Sequence, residues 1–145
     1  RMPFLNLFFR TNPWYEPQAG LYCISATILQ NVYSPFRNEW RLEWEKEYQA
    51  DRAKEPLFRE YWKNPTVQRD LQKHNAAAAF EATWRRYDQL RFARLCYYLR
   101  TRKPDANAGY SILIYRLSAA EVAGATTGTL TDLYRLMAKA SASNP

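Results

Sequence analysis

Between Pro65 and Pro104 the sequence has no proline, and no glycine occurs there before Gly109. Nothing from Pro65 to Arg102 breaks a helix, so the stretch permits one continuous helix, about 57 Å long at 1.5 Å per residue. A compact globule of 145 residues has a diameter of only about 38 Å. The helix must therefore project or break, and the break is expected at His74-Asn75, just before the run Ala76 to Ala79. In its far half Phe80, Trp84, Tyr87, Leu95 and Tyr98 line one side, with Phe92 and Leu99 roughly opposite. A surface helix carries one apolar stripe. Two stripes imply a helix sandwiched between this chain's core and a neighbour.

Prolines punctuate the rest. Ser34-Pro35 and Asn64-Pro65 each pair an N-cap residue with proline at the first helical position. Pro35 to Lys54 reads as a helix with Phe36, Trp40, Trp44 and Tyr48 four residues apart, and Pro56 to Lys63 as a short helical piece. After Pro104, Asp105 to Gly109 is a turn, and Tyr110 to Leu117 is ambiguous between strand and helix. Ser118 with Glu121 spells a capping box, and Thr129 with Asp132 an acidic variant of one. A last helix from Leu130 to Ala140 would bury Leu133, Leu136 and Met137. Gly124 and Gly128 read as a loop or helix end. The expected fold is mainly all-α and extended, with long charged and aromatic helices and a short strand near 110–117 as the one exception. Three stretches, 1–34, 35–103 and 104–145, make up one structural unit.

Pro17 to Phe36 holds no charged residue, close to the length of a crossing helix. Its polar residues favour a buried helix instead, with Leu21, Ile24, Ile28 and Val32 on one face. Upstream, Phe4, Leu5, Leu7, Phe8 and Phe9, then Trp14 and Tyr15, form an aromatic arm. Such an arm suits the chain's own core, a partner's groove or a membrane surface equally well, because all three bury the same area. The chain begins at Arg1 and shows no signal segment, which fits a processed or trimmed chain.

Catalysis finds little support. Four glycines leave no phosphate loop, and one histidine with two distant cysteines makes no zinc module and no redox pair. His74 sits in a polar stretch, where a solvated histidine is the simpler reading. Half of the acids fall between Glu39 and Glu60 among basic residues, the pattern of a salt-bridged helix face. The expectation is no enzyme, no cofactor and no metal. The net charge of +7 is concentrated instead. Arg85, Arg86, Arg91, Arg94, Arg100, Arg102 and Lys103 face only Glu81 and Asp88 between Phe80 and Lys103. Arginine grips phosphate and aromatics stack bases, so this stretch suits RNA or anionic lipid. Arginine with Trp and Tyr equally marks protein interfaces, which makes Phe8, Phe9, Trp14, Trp40, Trp44, Trp84, Tyr87 and Tyr98 candidate partner anchors.

These features together (a small basic Arg/Trp/Tyr-rich chain, an aromatic arm, a charge-free segment and long charged helices) resemble in style the supernumerary subunits of mitochondrial inner-membrane complexes, either a respiratory complex or the ATP synthase. Leu133-Tyr134-Arg135 spells the tripeptide of the LYR family, but there it opens a three-helix domain, and here it lies near the C-terminus. The resemblance implies a non-catalytic accessory subunit at or in the inner membrane. It would brace other protein subunits and touch cardiolipin through the basic stretch. The alternative is a mitochondrial ribosomal protein that contacts RNA through helix 85–103.

Overall fold

In the computed structural model, which describes residues 14–32 and 34–143, the long proline-free stretch breaks where the sequence predicts. Helix α4 (Pro65–Lys73) ends at His74, Asn75 takes a positive φ of 54°, and α5 (Ala77–Leu99) starts anew. Asn tolerates the left-handed region better than most residues, so one side chain turns the chain. At 23 residues, α5 is about 35 Å long, within the width of a compact globule. The broken helix therefore no longer has to project, as the unbroken one would.

The element order is β1 (Gly20–Ser25), α1 (Ala26–Leu29), α2 (Leu42–Arg52), α3 (Glu55–Lys63), α4, α5, β2 (Ala106–Ala108), β3 (Ile112–Leu117), α6 (Ala119–Thr126) and α7 (Leu130–Ala142). Helix α5 is the axle. Its buried residues include Trp84, Tyr87, Leu90, Leu95, Tyr98 and Leu99, and it packs on α2, α4, α6 and α7. Both apolar sides are thus covered by this chain itself, and the neighbour expected on one of them is not needed. An aromatic chain runs beside the axle. Phe36 meets Trp44 at 5.3 Å, Trp40 meets Tyr48, Tyr48 stacks on Tyr87 at 5.5 Å, and Phe58 links Tyr87 to Phe80. Such pairs each add about 0.5–1.5 kcal/mol beyond their buried area.

The sheet is the largest departure from an all-α expectation. Its order is β1-β3-β2 and both pairings are antiparallel. The strand expected near 110–117 is β3, the central one. The charge-free segment read as a helix is instead β1 followed by the single turn α1, with Tyr22 and Ile24 buried and Leu21 exposed. Its apolar residues satisfy both spacings. Pairing with β3 selects the period of two, which turns Tyr22 and Ile24 inward beside Tyr115 and Leu117.

The helix expected from Pro35 begins only at Leu42. Ser34 accepts the Phe36 amide in a short turn, Asn38 has φ 71°, and Trp40 enters the core from outside the helix. There its indole donates to Glu45 Oε2 at 2.7 Å. Both expected capping boxes form, Ser118 with Glu121 and Thr129 with Asp132. Leu133 is fully buried, while Leu136 and Met137 are partly so. Gly124 lies in the last turn of α6, the helix end of the two expected alternatives, and a Cβ there would sit 3.2 Å from Leu136 Cδ2. The glycine lets α6 and α7 approach closely.

Candidate functional site

The end of α6 and the turn into α7 present a run of carbonyls from Gly124 to Thr129, of which the backbone pairs Thr129 O with the Leu133 amide, while helix termini orphan their last acceptors. Side chains from α2 and α5 take them all. Arg94 donates to the carbonyls of Gly124 and Ala125 through Nη1, and to those of Gly128 and Thr129 through Nη2. Tyr48 donates to Thr126 O, and Arg52 to Thr127 O at 2.6 Å. Arg94 also grips Glu45 through Nε and Nη2, at 2.9 and 3.1 Å. Six acceptors therefore surround its five N–H groups, and its side chain is 0% exposed. Burial raises the Glu45 carboxyl, yet the bonds from Arg94, Gln49 and Trp40 more than offset it, and the net shift is downward.

The other arginines of this stretch are also engaged within the chain. Arg91 is buried, paired with Asp88 at 2.8 Å, and donates to Tyr15 O, so it fixes the segment from Trp14 onto α5. Burial lowers its guanidinium pKa, but Tyr15 and Asp88 outweigh that and the net shift is upward. Arg86 forms two bonds to Glu47, at 2.6 and 2.9 Å. Arg100 donates to the carbonyls of Leu29 and Asn38, and Arg102 reaches Asp105, Glu121 and Arg116 O. Arg85 is exposed beside Glu81 at 3.7 Å, and Lys103 is exposed. The series expected to meet phosphate is in large part an internal clamp. Acidic partners come from α2, the turn before β2 and α6, which sequence counting within one helix does not see.

The aromatic anchors divide similarly. Trp14, Trp40, Trp84, Tyr87 and Tyr98 lie in this chain's own core, and Trp44 packs partly buried against it. Tyr98 donates to Glu121 Oε1 at 2.7 Å. Burial of five large rings by the chain itself corrects their reading as a partner surface. Phe8 and Phe9 lie outside the described residues.

What remains open is a surface the sequence did not single out. The inner face of the sheet holds Tyr22, Ile24, Tyr115 and Leu117. By the alternation of the pleat, the outer face presents Leu21 and Cys23 on β1, Ile112, Ile114 and Arg116 on β3, and Ala106 and Ala108 on β2. Leu21 is 49% exposed and Ile112 36%, and Tyr110, at the turn before β3, is fully exposed. An antiparallel sheet with one wet face alternates apolar inward and polar outward. Here Leu21-Tyr22-Cys23-Ile24 and Ile112-Leu113-Ile114-Tyr115 are continuous apolar runs, the pattern of strands covered on both faces. That signal was present in the sequence, hidden by the helical reading of β1.

No other described feature gathers chemistry. Among the described residues no group of three or more His, Cys, Asp or Glu side chains comes together, and no helix is long and apolar enough to cross a membrane. His74 is exposed, with Nδ1 2.7 Å from Asp70 O. A cleft beside Tyr98, Arg102, Glu121 and Lys139 holds charged side chains over a partly apolar lining, but there Arg102 is paired with the acids around it. No protein-family model, curated protein or solved structure matches this chain.

Proposed function

We propose that this chain is a non-catalytic accessory subunit of a mitochondrial inner-membrane assembly, a respiratory complex or the ATP synthase, and that it attaches to its neighbours through the outer face of its sheet. The observation that carries the reading is the second apolar face of β1 and β3, exposed at Leu21 and Ile112. A sheet patterned for burial on both sides, whose outer face leaves Leu21 and Ile112 exposed among the described residues, has room for a further layer there. Another polypeptide supplies such a layer in an assembly. The mitochondrial placement rests on the resemblance of composition and style described above.

The mechanism is scaffolding. The clamped arginines and the aromatic chain hold α2, α5, α6 and α7 rigid, and the sheet face is presented on that frame. The test is a native gel of gently solubilised mitochondria probed for this chain beside inner-membrane and ribosomal markers. Migration with an inner-membrane complex, unchanged by nuclease, is the expected result. Migration as a free monomer, or with ribosomal particles that collapse on nuclease treatment, overturns it.

A further inference from the structure

The outer face of the sheet carries one charge, Arg116, at the end of an otherwise uncharged surface. Arg116 is exposed, and among the described residues its guanidinium has no ion pair and no hydrogen bond. Its backbone amide is the group that meets Asp105. Leu21 lies directly across from it, then Cys23 across from Ile114, and Ser25 across from Ile112. The surface therefore runs from a cation, through an apolar middle, to a small hydroxyl.

Its size limits what can cover it. Three strands about 4.8 Å apart and six residues long span at most roughly 14 by 20 Å, near 280 Å². A stable interface between two folded proteins buries about 800 Å² on each side. A single helix is about 10–12 Å wide, and 20 Å of it is about thirteen residues. The face thus has the footprint of one helix. Charge narrows the choice further. A second copy brings the same lone cation and no acid on this face, and a lipid surface calls for clusters of about four to eight cations. A helix with an apolar stripe and a carboxylate at one end complements the cation and the apolar middle of the row, while the Ser25 hydroxyl is already engaged in capping α1.

We infer that the outer sheet face receives an amphipathic helix of a neighbouring subunit, with Leu21, Cys23, Ile112 and Ile114 under its apolar stripe and a carboxylate of that helix against Arg116. The inference rests on the accessory-subunit reading and names the partner chemistry of the same face.

Cys23 is a built-in probe, because it sits in the middle of the face while Cys96, the other thiol, is buried. N-ethylmaleimide is applied to the purified chain and to the gently solubilised assembly, and modification of Cys23 is followed by mass spectrometry. Cys23 is expected to react at least roughly tenfold more slowly in the assembly, since burial denies a thiol access. A benzoylphenylalanine at Leu21 is expected to cross-link to a neighbouring subunit at residues three or four apart, close to an Asp or Glu. The R116E chain, folded by circular dichroism, is expected to enter the assembly roughly tenfold less well, and R116K nearly as well as the native chain. Equal Cys23 reactivity in a chain that still co-migrates with the complex overturns the docking face and leaves the accessory reading standing. Cross-links to a second copy, to lipid or at every other residue of an extended segment overturn the helix. A chain that migrates alone, or with ribosomes, overturns the accessory reading and this inference with it.

Discussion

Arg94 is 49 positions from Glu45 and more than 30 from most of the carbonyls it holds. Removing it leaves a carboxylate and several acceptors buried without their donor, so Arg94→Leu is expected to cost about 3–5 kcal/mol in urea unfolding. By contrast Arg85→Leu, at an exposed i,i+4 pair, is expected to cost less than about 0.5 kcal/mol in the same measurement. The carboxyls of Glu45, Glu47 and Glu121 all lie below their ordinary value of 4.5. The cause differs among them. Arg86 holds Glu47 down, while Glu45 and Glu121 are lowered against the opposing effect of burial. A carboxyl depressed on folding contributes stability that is complete above its unfolded pKa and is lost as pH falls through the folded one. The urea midpoint is therefore expected to hold steady from pH 7 to about 5.5 and then fall continuously toward pH 3. A flat profile across that window would contradict the clamp. None of this was legible residue by residue, because a basic count along one helix cannot show that the acids of another face it.

Elements were legible where the signal is local and obscure where it is not. The two capping boxes and the break at Asn75 are written in neighbouring residues, and all three stand where the sequence put them. Asn75→Gly is expected to be neutral or slightly stabilising, and Asn75→Ala to cost about 1 kcal/mol or more, because the left-handed turn penalises a Cβ. Gly128→Ala tests the turn between α6 and α7. Its Cβ would meet Asp132 Cβ at 2.9 Å and Gly124 O at 3.0 Å, and the expected loss in urea unfolding is about 1–3 kcal/mol. Strand β1 failed to announce itself because Leu21, Ile24, Ile28 and Val32 also fit a helix, and the partner that decides is far away in sequence. The helix over Pro35 to Trp40 failed for another reason. Burial of Phe36 and Trp40 from irregular backbone outweighs local propensity there.

At the scale of the whole molecule the described core is one cluster reaching from Trp14 to Leu133, drawn from both ends of the sequence. Such a core melts as a unit. Cys96, fully buried and with its thiol pushed up to about 12 by burial, is expected to resist alkylation until the chain unfolds. Its rate should track global stability in urea, whereas that of Cys23 in the purified chain should not. Rapid labelling of Cys96 in the native chain would show a looser core than this one. The pairing of β1 with β3 also has a temporal side. Gly20 meets Leu117, 97 positions later, and a ribosome adds about 5–20 residues each second, so β1 waits roughly 5–20 s for β3, its strand partner among the described residues. During that interval an uncharged, aromatic strand is naked, and a helper that shields extended apolar segments during synthesis becomes part of the folding route. A message cut short before Ile112 would yield a chain that carries the strand permanently without its mate, and therefore a product prone to aggregate rather than one merely less stable.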